Sequence, residues 1–201
     1  MFSKKANDDY IKNEILLHEV FKNLKIEKYF LKPIKIENNT LYFKKLRHDF
    51  HSYYKLVKVK DRAKFWNKIF IELSYVISIL EKNHIQHNDL HLGNIMFDGD
   101  QIKIIDLETM TNYKSIKFLF SNLPKAEKHR MGFSDNFHIG ADLNQALGYI
   151  FEEYKQDIPD NLLQIENRII KLNKEFPYAI DIKNNKTSGY KIASMFCKTR
   201  R

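Results

Sequence analysis

The chain has 201 residues, a single cysteine (Cys197) and a formal net charge of +9 with histidines neutral. One cysteine excludes an internal disulfide framework and any cysteine-built metal cluster, and fits a reducing compartment. An apolar fraction of 43% argues against global disorder, while the basic balance favours acidic partners: nucleotide, acidic protein, nucleic acid or an anionic membrane.

Proline and glycine are scarce, which suggests one compact unit or two small lobes sharing a cleft. The N-terminus lacks a long apolar run, so no signal peptide or membrane span is expected. The basic residues are spread along the chain, and neither zinc-finger spacing nor an RNA-binding aromatic motif occurs, so no dedicated nucleic-acid-binding module is expected.

In chain order, Lys4 and Lys5 precede a helix predicted from about residue 8 to 24, with Asp8 or Asp9 as its cap. Ile11, Ile15, Val20 and Leu24 supply part of its apolar face, and Leu16, Leu17 and Phe21 broaden it. Residues 30–36 and 40–46 read as strands, with Glu37-Asn38-Asn39 as the turn. The clearest helix spans 61–83: Phe65, Ile69, Leu73, Val76 and Leu80 recur every three to four residues beside Trp66, Phe70 and Ile77. It reads as a buried packing helix that delivers the chain to His87. Residues 94–97 and 102–105 read as two short strands joined at Asp98-Gly99, where both residues tolerate positive φ.

A long irregular stretch runs to about residue 138. A further helix is predicted over 139–154, with Leu143, Leu147, Ile150 and Tyr154 on its apolar side and Asp142 near its start, where the dipole favours a carboxylate. Another helix is predicted over 160–174. No catalytic partner pattern surrounds Cys197.

The stretch His87 to Glu108 carries the chemistry. A hairpin brings its two ends together, so Asp89 and Asn94 before it approach Asp106 after it. Each alone reads as a loop residue capping its own backbone. Two carboxylates and a carboxamide converging with little basic charge beside them make a Mg²⁺ site, and magnesium held this way usually works on a phosphorylated substrate.

His87, Asp89 and Asn94 match the pattern His-x-Asp-x-x-x-x-Asn, and Asp106-Leu107-Glu108 follows where typical protein kinases carry Asp-Phe-Gly. On these two motifs the chain resembles the protein-kinase-like superfamily. The resemblance implies an α+β, bilobal fold with a reduced N-terminal lobe over 1–46 and a mainly helical C-terminal catalytic lobe over 47–201. It implies ATP and Mg²⁺ as cofactors, with Mn²⁺ as the alternative metal. By the same resemblance Asp89 is the base that orients the acceptor hydroxyl, and Asn94 and Asp106 are metal ligands. Glu108, in place of glycine, adds a carboxylate to the metal region. His91 stands where a lysine is usual and can donate to a phosphate or acceptor. Glu14 pairs with Lys4 or Lys5 to position phosphates, with Glu19 as the spare glutamate. Backbone groups near Lys45 and Leu46, in a hinge over 46–54, meet adenine. His87 supports the loop, and Asp142 is a buried aspartate supporting the catalytic-loop backbone.

The chain also departs from that pattern. No glycine precedes Gly93, so the glycine-rich phosphate loop and about two covering strands are missing, and the Ala-Pro-Glu anchor is absent. This fits a trimmed chain, a natural minimal small lobe, or loss of phosphotransfer. The leading expectation is an atypical serine/threonine protein kinase with a protein acceptor and an acidic protein partner or activator. The compartment is then cytoplasmic, or the host cytoplasm for a viral or bacterial-effector chain. The alternatives are an aminoglycoside- or choline-kinase-like small-molecule phosphotransferase and a pseudokinase acting as a binding protein. The identity of any labelled acceptor separates them.

Overall fold

A computed structural model describes residues 1–113, 137 and 139–163. The first part is a three-stranded antiparallel sheet with one helix. Strand β1 (Phe2–Lys5) pairs with β3 (Thr40–Phe43), which pairs in turn with β2 (Pro33–Glu37). The β2–β3 connection is the two-residue loop Asn38-Asn39, both at positive φ. That geometry matches the twist of the flanking strands, and asparagine tolerates it well. Strand β1 is a correction to the sequence reading, which left Lys4 and Lys5 outside any strand. Four residues are too few to show an alternating pattern.

Helix α1 (Asp8–Asn23) starts one residue earlier than Asp8 or Asp9 as caps would have it: the Asn7 side chain accepts from the Tyr10 N–H at 2.8 Å. Its buried face is also rotated. Tyr10, Asn13, Glu14, Leu17, His18 and Phe21 point inward, whereas Ile15 and Leu16 are exposed. Three polar residues lie on the inner face, so an apolar count misplaces it.

The remainder is mainly helical. A short strand β4 (His48–Asp49) leads directly into α2 (Phe50–Leu56), capped by Asp49, whose carboxylate accepts from Ser52 N at 2.7 Å. The expected hinge over 46–54 is thus largely helix. The central helix α3 (Arg62–Lys82) buries every apolar position predicted for it. After β5 (Ile85–Gln86) comes the hairpin of β6 (Ile95–Asp98) and β7 (Gln101–Ile104), with β4 on its outer side. Asp98 faces Gln101, so the loop residues are Gly99-Asp100, one position later than predicted. Gly99 sits at φ 58°, the left-handed region that glycine enters without strain. Strand β8 (Thr111–Asn112) pairs with β5, and α4 (Ala141–Tyr154) packs on α3. Helical conformation resumes at residue 160. The rest of the predicted 160–174 helix, most of the irregular stretch to residue 138, and Cys197 lie outside the described residues.

The result is a sheet-rich N-terminal region followed by a mainly helical C-terminal region, a bilobal kinase-like fold. Among the described residues no helix is long and apolar enough to cross a membrane. Two apolar clusters underlie it. The smaller joins Tyr10, Leu31, Leu41, Phe43 and Leu46 beneath the sheet. The larger runs from Leu17 and Phe21 through α3 to α4, and Phe21 stacks on Phe30 at 3.8 Å.

Phe50 is fully buried, and its ring meets Phe65, Trp66, Phe97 and Tyr154, thereby joining α2, α3, the hairpin and α4. Truncating it opens a cavity where four elements meet. Phe50→Ala is expected to cost roughly 3–5 kcal/mol, read as a shift in urea midpoint at unchanged slope. A loss under about 1 kcal/mol would mean the four rings collapse to fill the gap.

Candidate active site

The backbone from Gln86 to His91 is tied down on three sides. From α4, the Asp142 carboxylate accepts from His87 N at 2.6 Å and from Asn88 N at 2.9 Å, and Gln145 Oε1 accepts from Leu90 N at 2.7 Å. From the segment after the hairpin, Thr109 donates to the His87 carbonyl, and Asn88 Nδ2 donates to the Thr109 carbonyl. From within, the fully buried His87 is hydrogen-bonded through Nε2 to the Ile105 carbonyl at 3.0 Å, and its Nδ1 accepts from Asp89 N at 3.3 Å. A tautomer with its hydrogen on Nε2 satisfies both contacts. Asn88 holds φ at 69°, a conformation asparagine tolerates. Burial is the main influence on Asp142 and pushes its carboxyl above the ordinary range, against the two N–H donors that favour the anion.

This scaffold presents Asp89 with its side chain about 40% exposed. Asn94 Nδ2 donates to the Asp89 carbonyl at 2.8 Å, so its Oδ1 is the atom left to accept or coordinate. The Asn94 carbonyl accepts from Ile105 N at 3.0 Å, which couples the two ends of the hairpin just before Asp106. Asp106 itself stands at φ 59°, ψ 64°. That left-handed turn, uncommon for a residue with a Cβ, redirects the chain into the turn Leu107–Thr109.

The acidic mouth holds a cation from the protein itself. Lys4 Nζ lies 2.8 Å from Asp106 Oδ1 and 2.5 Å from Glu108 Oε2, and it sits over the Tyr10 ring at 4.9 Å. Burial lowers the proton affinity of Lys4, but the hydrogen bonds to Asp106 and Glu108 outweigh it and hold the ammonium above its ordinary range. A cavity of about 230 Å³ adjoins this cluster, lined by Lys4, Tyr10, Glu14, Asn94 and Asp106 among others.

The other expected site residues fall as follows. Glu14 lines the cavity, but its carboxylate lies 3.2 Å from His18 Nε2 rather than on Lys4. Two acceptors at the hairpin end hold the ammonium in its place. Glu19 is exposed on the far side of α1, and Lys5 is exposed at the end of β1. Lys45 is exposed and Leu46 is buried in the smaller apolar cluster, and neither lines the cavity. His91 Nδ1 accepts from Gly93 N at 3.0 Å, while its Nε2 is 3.7 Å from Asp89 Oδ2, beyond a hydrogen bond. A Cβ on Gly93 would come within 2.7 Å of the His91 ring, so glycine is required for that approach. Sequence reasoning missed Tyr10, His18 and Gln145. The four-residue spacing of Glu14 and His18 was the available signal for one of them.

The Asp142 contacts generate a test. Asp142→Asn keeps the volume but turns one acceptor into a donor facing a backbone N–H. A destabilisation of about 1–3 kcal/mol is expected, with faster amide hydrogen exchange at His87 and Asn88. Unchanged exchange at both amides would show that the loop does not depend on this carboxylate.

With the geometry in place, comparison with known proteins shows what the chain is similar to. A model of the phosphotransferase enzyme family matches residues 17–113, a little under half of the chain. Among solved structures, the Cydia pomonella granulovirus kinase PK-1 is similar at 21% identity and TM-score 0.41, over 58% of this chain and 44% of that one. The chain therefore spans less than half the length of the viral kinase. No curated protein matches. The matched family segment includes the whole stretch from His87 to Glu108.

Proposed function

We propose that this protein is an ATP-dependent phosphotransferase whose acceptor is a small hydroxyl- or amino-bearing molecule. The observation that carries the reading is the convergence of Asp106 and Glu108 on one cation beside Asn94 and Asp89. The family model matched over 17–113 describes phosphotransferases. It favours a small-molecule acceptor over the serine/threonine protein-kinase reading that the sequence suggested first.

The donors fit a hard divalent ion. Asp106 and Glu108 already collect one positive charge, Asn94 has an amide oxygen to spare, and all three are oxygen ligands of the kind Mg²⁺ takes. Among the described residues no three His, Cys, Asp or Glu side chains group as a metal site; in this proposal the amide oxygen of Asn94 would join the Asp106 and Glu108 carboxylates as a ligand. Bound Mg²⁺ would neutralise charge on the phosphates of the nucleotide.

The chain's own groups do the rest. Asp89, anchored through its backbone by His87 and Asn94, orients the acceptor hydroxyl and takes its proton as the acceptor oxygen bonds to the γ-phosphorus. The bond from that phosphorus to the β,γ-bridging oxygen breaks and ADP departs. Lys4, released from the acid pair, lies within the same cavity to meet phosphate oxygens. Glu14, buried at its wall, is the acceptor that can then hold it.

Two measurements check this reading. With [γ-³²P]ATP and Mg²⁺, transfer to amino-sugar or amino-alcohol acceptors is expected to exceed transfer to generic proteins. Asp89→Asn should cut it roughly 10²–10⁴-fold. Labelling of proteins alone would restore the protein-kinase reading. Absence of both transfer and nucleotide binding by calorimetry would leave a binding protein. Separately, Lys4→Met should bind Mn²⁺ several-fold more tightly than wild type without nucleotide, because the competing ammonium is gone, whereas Asp106→Asn should bind it weakly. Equal Mn²⁺ affinity in all three proteins would place the metal elsewhere.

A further inference from the structure

A second cavity, of about 530 Å³, is lined by α2, the start of α3 and the β6–β7 hairpin and shares no lining residue with the cavity at the acidic mouth. Its size falls within the range of recognition pockets, about 300–1,000 Å³. The floor is aromatic and apolar: Tyr53 stacks on Phe97 with centroids 3.9 Å apart and planes 6° from parallel, and Phe65 lies beside both. Leu56 lines the cavity while 62% exposed, and Val59 in the adjoining turn is 76% exposed. Large apolar side chains this open, set beside a concavity, mark a binding surface more often than isolated surface residues do.

The rim is basic. Lys58, Lys60, Lys64 and Lys68 line it against only Asp61 and Asp100. Asp100 is already engaged, its carboxylate accepting from the Tyr53 hydroxyl at 2.7 Å and its carbonyl from Lys68. Lys68 also meets Glu72 at 3.1 Å. Lys58, Lys60 and Lys64 are exposed, and none forms an ion pair with an acidic side chain among the described residues. The positive end of α3 points the same way, since Lys60 and Lys64 flank its first turn.

We propose that this cavity docks an acidic peptide segment of a partner protein, with a bulky apolar side chain of the peptide seated against Leu56 and its carboxylates on Lys58, Lys60 and Lys64. The chemistry selects a peptide over nucleic acid. Tyr53 has one face on Phe97, and Phe65 and Phe97 are buried, so at most the second face of Tyr53 is offered for a base to stack on, too little for a platform that takes successive bases. A concave apolar floor with a charged rim instead suits one inserted side chain flanked by charges. The site needs neither nucleotide nor metal, so its test is independent of phosphotransfer.

The test is fluorescence polarisation on the full chain with four labelled probes. They are a peptide alternating Glu and Asp with Leu and Phe, its counterpart with lysines for the acids, an all-acidic peptide with serines for Leu and Phe, and a short oligothymidylate. The alternating acidic peptide is expected to bind at about micromolar Kd. At least a tenfold loss is expected in Lys60→Glu/Lys64→Glu and a several-fold loss in Leu56→Ser. Both variants change exposed side chains, and thermal melts confirm that they fold. Binding of the serine peptide equal to that of the alternating one would overturn the proposal by showing charge attraction alone. So would tighter binding of oligothymidylate with the same sensitivity to the lysine variants, or affinity for the alternating peptide unchanged in all variants.

Discussion

Everything chemical in this chain rests on one buried carboxylate. Asp142 belongs to α4, yet its two oxygens are the acceptors for the backbone of His87 and Asn88, more than fifty residues earlier. Burying an acid costs free energy unless donors meet it, and here the donors are two N–H groups that would otherwise lack partners inside the loop. Each side therefore resolves the other's deficit. The loop can then run as an irregular segment through the protein interior, with Asn88 in a left-handed conformation, and still present Asp89 outward.

From that anchor the geometry passes along covalent and hydrogen-bonded neighbours. His87 spans from the Asp89 amide to the Ile105 carbonyl, and Asn94 spans from the Asp89 carbonyl to the Ile105 amide. The His87 side chain, together with the side chain and backbone carbonyl of Asn94, thus laces the loop before the hairpin to the strand end after it. Asp106 follows directly, and its left-handed backbone turns its carboxylate and that of Glu108 toward one point. The hairpin supplies proximity, but these cross-links supply the register.

The long-range parts of this arrangement were legible to different degrees. The amphipathic period of α3 and α4 was plain, because most positions on their inner faces are apolar, with Ser74 and Ser78 on α3 and Asp142 and Asn144 on α4 as the polar exceptions. The face of α1 was not, because Asn13, Glu14 and His18 are buried there and look polar in sequence. That face serves both, with Tyr10 and Glu14 at the cavity and Leu17 and Phe21 in the core. The motif residues from His87 to Glu108 were readable from spacing, since a hairpin converts sequence symmetry into closeness. Strand β1 was too short to show a period, so the contact of Lys4 with Asp106 and Glu108 was not foreseen, the sequence suggesting Glu14 as the partner of Lys4 or Lys5. The basic cavity was hidden for another reason. Lysines 58, 60, 64 and 68 look like dispersed solvent-facing charge until α2 and α3 fold them around Tyr53 and Phe97.

The Lys4 contact also has the strength expected of a replaceable one. The three side chains are between 34% and 44% exposed, and ion pairs so open to water are worth only about 0–1 kcal/mol. In the proposed magnesium-bound state a divalent ion would bring twice the charge to the same two carboxylates, which could not hold both cations in one place. Displacing Lys4 would therefore cost little and would leave a charged amine within the cavity that Glu14 lines. Glu14, 3% exposed, cannot stand unpaired in either state. In the present arrangement His18 supplies the contact one helical turn away. With Lys4 free, a stronger, permanently charged partner is at hand. The buried His18 beside Glu14 is thus intelligible as the group that keeps a carboxylate in the cavity wall while the lysine is held by the acid pair.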